Sequence, residues 1–163
     1  MAERLPFRTG IGYDSHRFAP GGPLVLGGVD IPSDVHLHGH SDGDALAHAV
    51  TDAILGAVGL GDIGAMFPDS DAGNAGRDSI EMLILAAGHV EAAGWRVGQI
   101  DVVVITETPR ILPHRAAMRE RIAGAVSCAP QDVSIKGKSN EGMGFVGRGE
   151  GLACLATATL YRA

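Results

Sequence analysis

The chain has 163 residues, a formal net charge of −6 at pH 7, 45% hydrophobic residues, 24 glycines and only 4% aromatics. The apolar content excludes a disordered chain, and the acidic balance argues against a nucleic-acid partner, because neutralising phosphates needs a basic face. No apolar stretch approaches the roughly 20 residues of a membrane span, and residues 1–9 lack the apolar centre of a secretion signal. The length suits one domain over residues 1–163. Cys128 and Cys154 show no Cys-x-x-Cys spacing and read as small core residues in a reducing compartment, so the cytoplasm is the expected location. Glycine brings no side chain to a core, so a chain this rich in it gains stability by close backbone approach or by subunit association.

In chain order, residues 7–13 and 24–31 read as strands around the Pro20-Gly21-Gly22 turn. Residues 44–58 place Leu46, Ala49, Val50, Ala53, Ile54 and Ala57 at helical spacing. Residues 62–77, rich in Gly, Asp and Asn and without a period, read as a loop. A second helix opens at Asp78 or Ser79, with Glu81 placed for a capping box on Asp78, and stops at Gly94. Residues 97–108 contain the run Ile100-Asp101-Val102-Val103-Val104-Ile105, typical of a central strand. Pro113 suits the first turn of a third helix reaching about Val126. Residues 133–136 and 152–161 read as the last strands. The expected fold is an α/β sandwich (α+β), with helices packed on a mixed sheet.

Asp14 and His16 lie two residues apart near the start, and His48 follows in the run His40-Ser41-Asp42-Gly43-Asp44-Ala45-Leu46-Ala47-His48. Alternate residues of a strand share a face, so Asp14 and His16 reach a common point. On a helix over 44–58, His48 shares a stripe with Asp44 and Asp52. One carboxylate and two imidazoles are the donors a catalytic zinc takes while keeping a fourth position open. The competing reading is one buried hydrogen-bonded histidine and one exposed one; the local density of acid and imidazole favours the metal. Asp52, one turn beyond His48, is a candidate to orient that imidazole.

Several ordered motifs carry a resemblance over nearly the whole chain. They are Gly12-Tyr13-Asp14-Ser15-His16, residues 40–52, Gly61-Asp62-Ile63-Gly64 followed by Phe67-Pro68-Asp69, Leu112-Pro113-His114, and Gly144-Phe145-Val146-Gly147-Arg148-Gly149-Glu150-Gly151. In these the chain resembles the 2-C-methyl-D-erythritol 2,4-cyclodiphosphate synthases of the non-mevalonate route to isoprenoids. The resemblance implies a zinc ion on Asp14, His16 and His48, and a magnesium or manganese ion on Glu141 that bridges the substrate diphosphate. It implies intramolecular phosphoryl transfer in a CDP-linked methylerythritol phosphate, with release of CMP. It places His40, Ser139 and Glu141 at the reacting groups, and His40 and Ser41 against the 2-phosphate. Asp62, Gly64, Phe67 and Asp69 belong to the diol side, although Asp62 and Asp69 also suit ordinary turn acids. Thr106, Pro109, Ile111, Leu112, Gly137, Lys138 and Ser139 belong to the cytidine side. Lys136 reads either as a phosphate neighbour or as a solvated strand end.

The resemblance further implies a homotrimer with active sites between subunits. Phe145, Arg148 and Glu150 would line an axial cavity that holds an isoprenoid diphosphate in some members, or Arg148 and Glu150 would form inter-subunit ion pairs. One departure stands out: Lys138 occupies a position where threonine is common, exchanging a neutral hydroxyl for a cation. Two other classes compete, a metal-dependent phosphohydrolase and a non-catalytic trimer that binds isoprenoid diphosphates. No Ser-His-Asp or Cys-His arrangement supports a covalent nucleophile.

Overall fold

A computed structural model describes residues 5–163; part of the stretch judged free of a secretion signal, residues 1–4, lies outside them. Strand alternation begins at Phe7 and runs on to Pro20 as β1 (Phe7–Pro20), well past the expected end at residue 13. Its even-numbered residues face inward and its odd-numbered ones outward, which puts Asp14 and His16 on the core side. The extension follows from pairing: β1 runs antiparallel to β7 (Gly151–Arg162) from Phe7↔Tyr161 to Arg17↔Gly151.

Residues 24–31 form two strands rather than one. β2 (Leu24–Leu26) and β3 (Val29–Ile31) make a hairpin across Gly27 and Gly28, whose φ values of 58° and 70° are those of a primed two-residue turn that glycine permits. β4 (Val35–Leu37) pairs with the end of β1. β5 (Trp95–Ile105) pairs antiparallel with β7 and parallel with β6 (Val133–Lys138), giving a mixed sheet in the order β4-β1-β7-β5-β6. The parallel pair needs a crossover, which α4 (Arg115–Val126) supplies. α4 starts after Pro113, with His114 at its N-cap, so the proline precedes the helix instead of lying in its first turn.

α1 (Ala45–Val58) packs on β1 and β7, α3 (Ser79–Ala92) packs on α1, and α4 packs on α3 and β6. Residues 62–77 are not wholly irregular: α2 (Ile63–Met66) and a 3-10 turn (Ala72–Asn74) interrupt them, each capped by an aspartate, Asp62 and Asp71. Asp78 caps α3 by accepting from the N–H groups of Ile80 and Glu81, the first half of the expected capping box. A last short helix, α5 (Gly144–Gly147), precedes β7.

The sheet contacts α1 at unusually short range. A Cβ on Gly12 would lie 1.9 Å from the Ala49 carbonyl oxygen, so only glycine lets the strand approach the helix there. The core gathers Leu24, Leu46, Ile54, Leu83, Ile100, Met118 and Ile122 between sheet and helices. Both cysteines are free thiols, Cys154 buried and Cys128 partly so. The opposite sheet face is bare, with Ile11 66% and Tyr13 54% exposed. No helix among the described residues is long and apolar enough to cross a membrane.

Candidate functional site

β1 holds Asp14 and His16 side by side, and α1 presents His48 from its first turns toward them. Asp44 fixes where that helix begins. Its buried carboxylate accepts from the N–H of Ala47, capping α1, and from those of Gly27 and Gly28 in the hairpin turn. Burial pushes this carboxyl upward, and those N–H bonds oppose the shift.

The three donors converge. Asp14 Oδ2 is 2.9 Å from His16 Nε2 and 2.9 Å from His48 Nδ1, and the two nitrogens are 3.3 Å apart. One divalent cation with bonds of about 2.0–2.1 Å reaches all three, and the donor set suits a first-row ion. The His38 carbonyl can only accept, so His16 Nδ1–H donates to it at 2.7 Å, and the neutral ring keeps its Nε2 lone pair for the cluster. Burial pushes Asp14 up, but hydrogen bonds and charge from both histidines outweigh it and hold the carboxyl at about 2. Burial lowers His16, while Asp14, the His38 carbonyl and Asp44 together raise it by more, leaving it above its ordinary value.

The triad opens into a cleft of about 260 Å³ that also takes in His40, Ser41, Gly64, Phe67 and Asp69. Asn74, Ile63 and Met82 join them; Ile63 belongs to the Gly61–Gly64 motif without an expected role, and Asn74 and Met82 had no signal in the sequence. His40 Nδ1 lies 3.8 Å from Asp69 Oδ1. Asp62 does not line the cleft; it caps α2 by accepting from the Ala65 N–H at 2.8 Å. Asp52 is likewise reassigned: its carboxylate accepts from the Ile63 N–H at 2.7 Å and anchors α2, while the hydroxyls of Ser79 and Ser41 meet His48 Nε2 at 2.8 and 3.1 Å. Burial pushes the Asp52 carboxyl up.

A second cavity, about 630 Å³, lies at the far side of the sheet between β6 and the segment after β5. It gathers Thr106, Pro109, Ile111, Leu112, Gly137, Lys138 and Ser139, together with Glu107, Arg110 and Arg115. Lys136 is neither of its expected alternatives alone: it lines this cavity while its ammonium pairs with Asp101 at 2.6 Å. Glu141 sits beside the cavity with a left-handed φ of 53°, its carboxylate accepting from the Ser139 hydroxyl at 2.8 Å. Glu107 accepts from the N–H groups of Asn140 and Gly142 and so shapes that turn. Phe145 and Arg148 lie outside both cavities, and Arg148 pairs with Glu150 of the same chain at 2.6 Å.

Fold and triad together define a class, an α+β protein with a carboxylate–imidazole cluster suited to a metal ion between strand β1 and the helix that covers it. The chain belongs to the YgbB family, whose model matches residues 7–161. A 2-C-methyl-D-erythritol 2,4-cyclodiphosphate synthase from Gemmatimonas aurantiaca is 62% identical over 156 residues, 96% of this chain and 94% of that protein. Among solved structures, the bifunctional IspDF from Campylobacter jejuni superposes with a TM-score of 0.93 at 39% identity, over 96% of this chain and 42% of that one. The CDP complex of IspF from Plasmodium falciparum does so with a TM-score of 0.85 at 31% identity, covering 98% of this chain and 99% of that one.

Proposed function

We propose that this chain cyclises 4-diphosphocytidyl-2-C-methyl-D-erythritol 2-phosphate to 2-C-methyl-D-erythritol 2,4-cyclodiphosphate with release of CMP, as one domain working in the cytoplasm. The observation that carries this reading is the Asp14–His16–His48 triangle opening into a cleft that also holds His40, Ser41 and Asp69, in a chain 62% identical to a synthase of that name. Asp14, His16 and His48 would hold zinc, which as a Lewis acid shields charge on the phosphates when bound. Glu141, a hard oxygen donor, would hold magnesium or manganese with the diphosphate.

The remaining work is positioning. An oxygen of the 2-phosphate attacks the β-phosphorus, the bond from that phosphorus to the CMP oxygen breaks, and CMP leaves as the ring closes. Two anionic groups must be pressed together, so orientation and electrostatic shielding dominate. His40 and Ser41 face the 2-phosphate, Asp69 accepts from the diol hydroxyls, and the cavity around Gly137 and Ile111 takes the cytidine. Lys138, Arg110 and Arg115 add positive charge to the cavity that receives the nucleotide phosphates.

The triad cleft and the cytidine-side cavity share no lining residue, and β7 and β5 separate β1 from β6. A substrate clamped at both ends is better served by joining the cleft of one subunit to the cavity of its neighbour. The bare sheet face with Ile11 and Tyr13 suits that association, a homotrimer, and Phe145, Arg148 and Glu150 would then face the axis, where an isoprenoid diphosphate fits.

Metal analysis with a CMP-release assay on the CDP-linked substrate tests the reading. A cyclic diphosphate alongside CMP supports it; an open-chain bisphosphate alongside CMP, or inorganic phosphate released from the 2-position, would instead mark a phosphohydrolase. Isoprenoid diphosphate binding without turnover would mark a binding protein.

A further inference from the structure

We propose that Asp42 and Ser79 are positioning residues that set the tautomer of His48 and, through it, the affinity of the metal centre. The inference rests on the reading of Asp14, His16 and His48 as the metal ligands.

His48 has two ring nitrogens, and only a bare Nδ1 is a ligand on the triad side. Which nitrogen carries the proton depends on what Nε2 meets. Ser79 Oγ lies 2.8 Å from it, on a residue with no solvent exposure. A hydroxyl can donate to an imidazole or accept from it, so Ser79 alone leaves the tautomer open. Asp42 closes the choice. Its Oδ1 accepts the Ser79 hydroxyl proton, and its Oδ2 accepts from the Ser79 backbone N–H at 3.1 Å. A carboxylate only accepts, so the Ser79 proton points at Asp42 and its lone pair points at His48. Nε2 is then the donor in the neutral ring, and Nδ1 is left bare toward His16 and toward Asp14 Oδ2, 2.9 Å away. Asp14 by itself favours a proton on Nδ1, and the Asp42–Ser79 pair opposes it.

Asp42 is itself held. Its Oδ1 also accepts from the Asp44 N–H at 3.1 Å, and its own N–H donates to the Arg77 carbonyl at 3.2 Å. The loop before α1 is thereby tied to the start of α3, and the chain Asp42–Ser79–His48 connects both helices to the metal site. Ser41 Oγ, 3.1 Å from Nε2, also meets the ring, but its hydroxyl can donate or accept and so serves either tautomer. Partners of this kind are worth roughly 10–100-fold in metal affinity elsewhere.

The test uses 15N-labelled full-length protein. Long-range imidazole 1H–15N correlations read the His48 tautomer, and competition with a chelator reads zinc affinity. In the unmodified metal-free protein His48 should carry its proton on Nε2. Ser79→Ala should give a mixture of tautomers and zinc binding weaker by roughly 10–100-fold. Asp42→Asn presents an amide that can donate to Ser79, freeing the hydroxyl to donate to Nε2, so it should raise the Nδ1-protonated fraction. An Nδ1-protonated ring in the unmodified protein overturns the inference, as does Ser79→Ala with unchanged tautomer and zinc affinity within about threefold. Should Ser79→Ala not fold, the unmodified protein and Asp42→Asn decide, an unaltered tautomer ratio in the latter counting against the proposal. His48→Ala separates the two levels: if it binds zinc as well as the unmodified protein, the ligand assignment itself fails. If it loses zinc while Ser79→Ala does not, only the positioning role fails.

Discussion

Asp14 Oδ2, His16 Nε2 and His48 Nδ1 lie within 3.3 Å of one another, a separation at which their lone pairs repel unless a metal ion, or the second proton of a charged His16, sits among them. Two opposite pH dependences follow for the metal-free protein. The folded carboxyl of Asp14, at about 2, lies below its unfolded value near 3.8, so its stabilising effect is present above 3.8 and is lost as pH falls toward 2. His16 is raised above 6.5, so its contribution is complete below 6.5 and is lost as pH rises through the folded value. The metal-free protein should therefore lose thermal stability as pH rises above 6.5, and zinc should restore it. Melting curves across pH with and without zinc check this, and a metal-free Tm that climbs steadily as pH rises above 6.5 contradicts it. At the same scale, His48→Ala should remove zinc and abolish cyclisation while circular dichroism stays native; full zinc occupancy in that variant refutes the ligand assignment. Glu141→Gln keeps the side-chain shape and leaves the left-handed backbone no more strained, so it isolates the charge. It should retain zinc and lose turnover, and activity surviving at ordinary magnesium concentration would assign Glu141 another role.

Two elements, β1 and α1, bring the triad together, and their separation is set at Gly12. A Cβ there would meet the Ala49 carbonyl oxygen, an atom fixed in the helix backbone, so Gly12→Ala must push strand and helix apart. Overpacking of this kind costs about 1–3 kcal/mol, and a rigid backbone neighbour places this case toward the top of that range. Gly12 precedes Asp14 by two residues on the same strand face, and Ala49 adjoins His48, so the displacement also widens the triangle. The variant should show a lower Tm and weaker zinc binding together. Native zinc affinity in a folded Gly12→Ala protein would mean that the strand–helix distance does not control the site.

Across the whole molecule, the triad and the proposed cytidine-side cavity lie at different strands of the sheet, and the proposed reaction draws on both. His48→Ala disables the first. A Cβ on Gly137 already lies 3.0 Å from Ile111 Cβ, so Gly137→Trp would displace Ile111 and fill the second. Mixing the two inactive variants under conditions of subunit exchange should recover part of the activity, because some interfaces then pair an intact triad with an intact cavity. Exchange demonstrated without recovered activity places both halves of the site in one chain.

The residues that carry local chemistry were legible in the sequence. Helical spacing announced α1, Asp78 announced α3, and reading Asp14 and His16 as alternate strand residues put them on one face, although the strand itself was expected to end at residue 13. The paired glycines at 27 and 28, read through as strand, carried a hairpin signal of their own. What sequence spacing cannot show is which distant polar groups meet. Asp52 stands at helical spacing from His48 and seemed its natural partner, yet the packing of α2 turns that carboxylate to Ile63. Ser79, 31 residues from His48, takes its place because α3 lies against α1 and brings its first residue to the imidazole. Spacing along one chain settles which face a residue occupies, and long-range packing alone decides what that face touches.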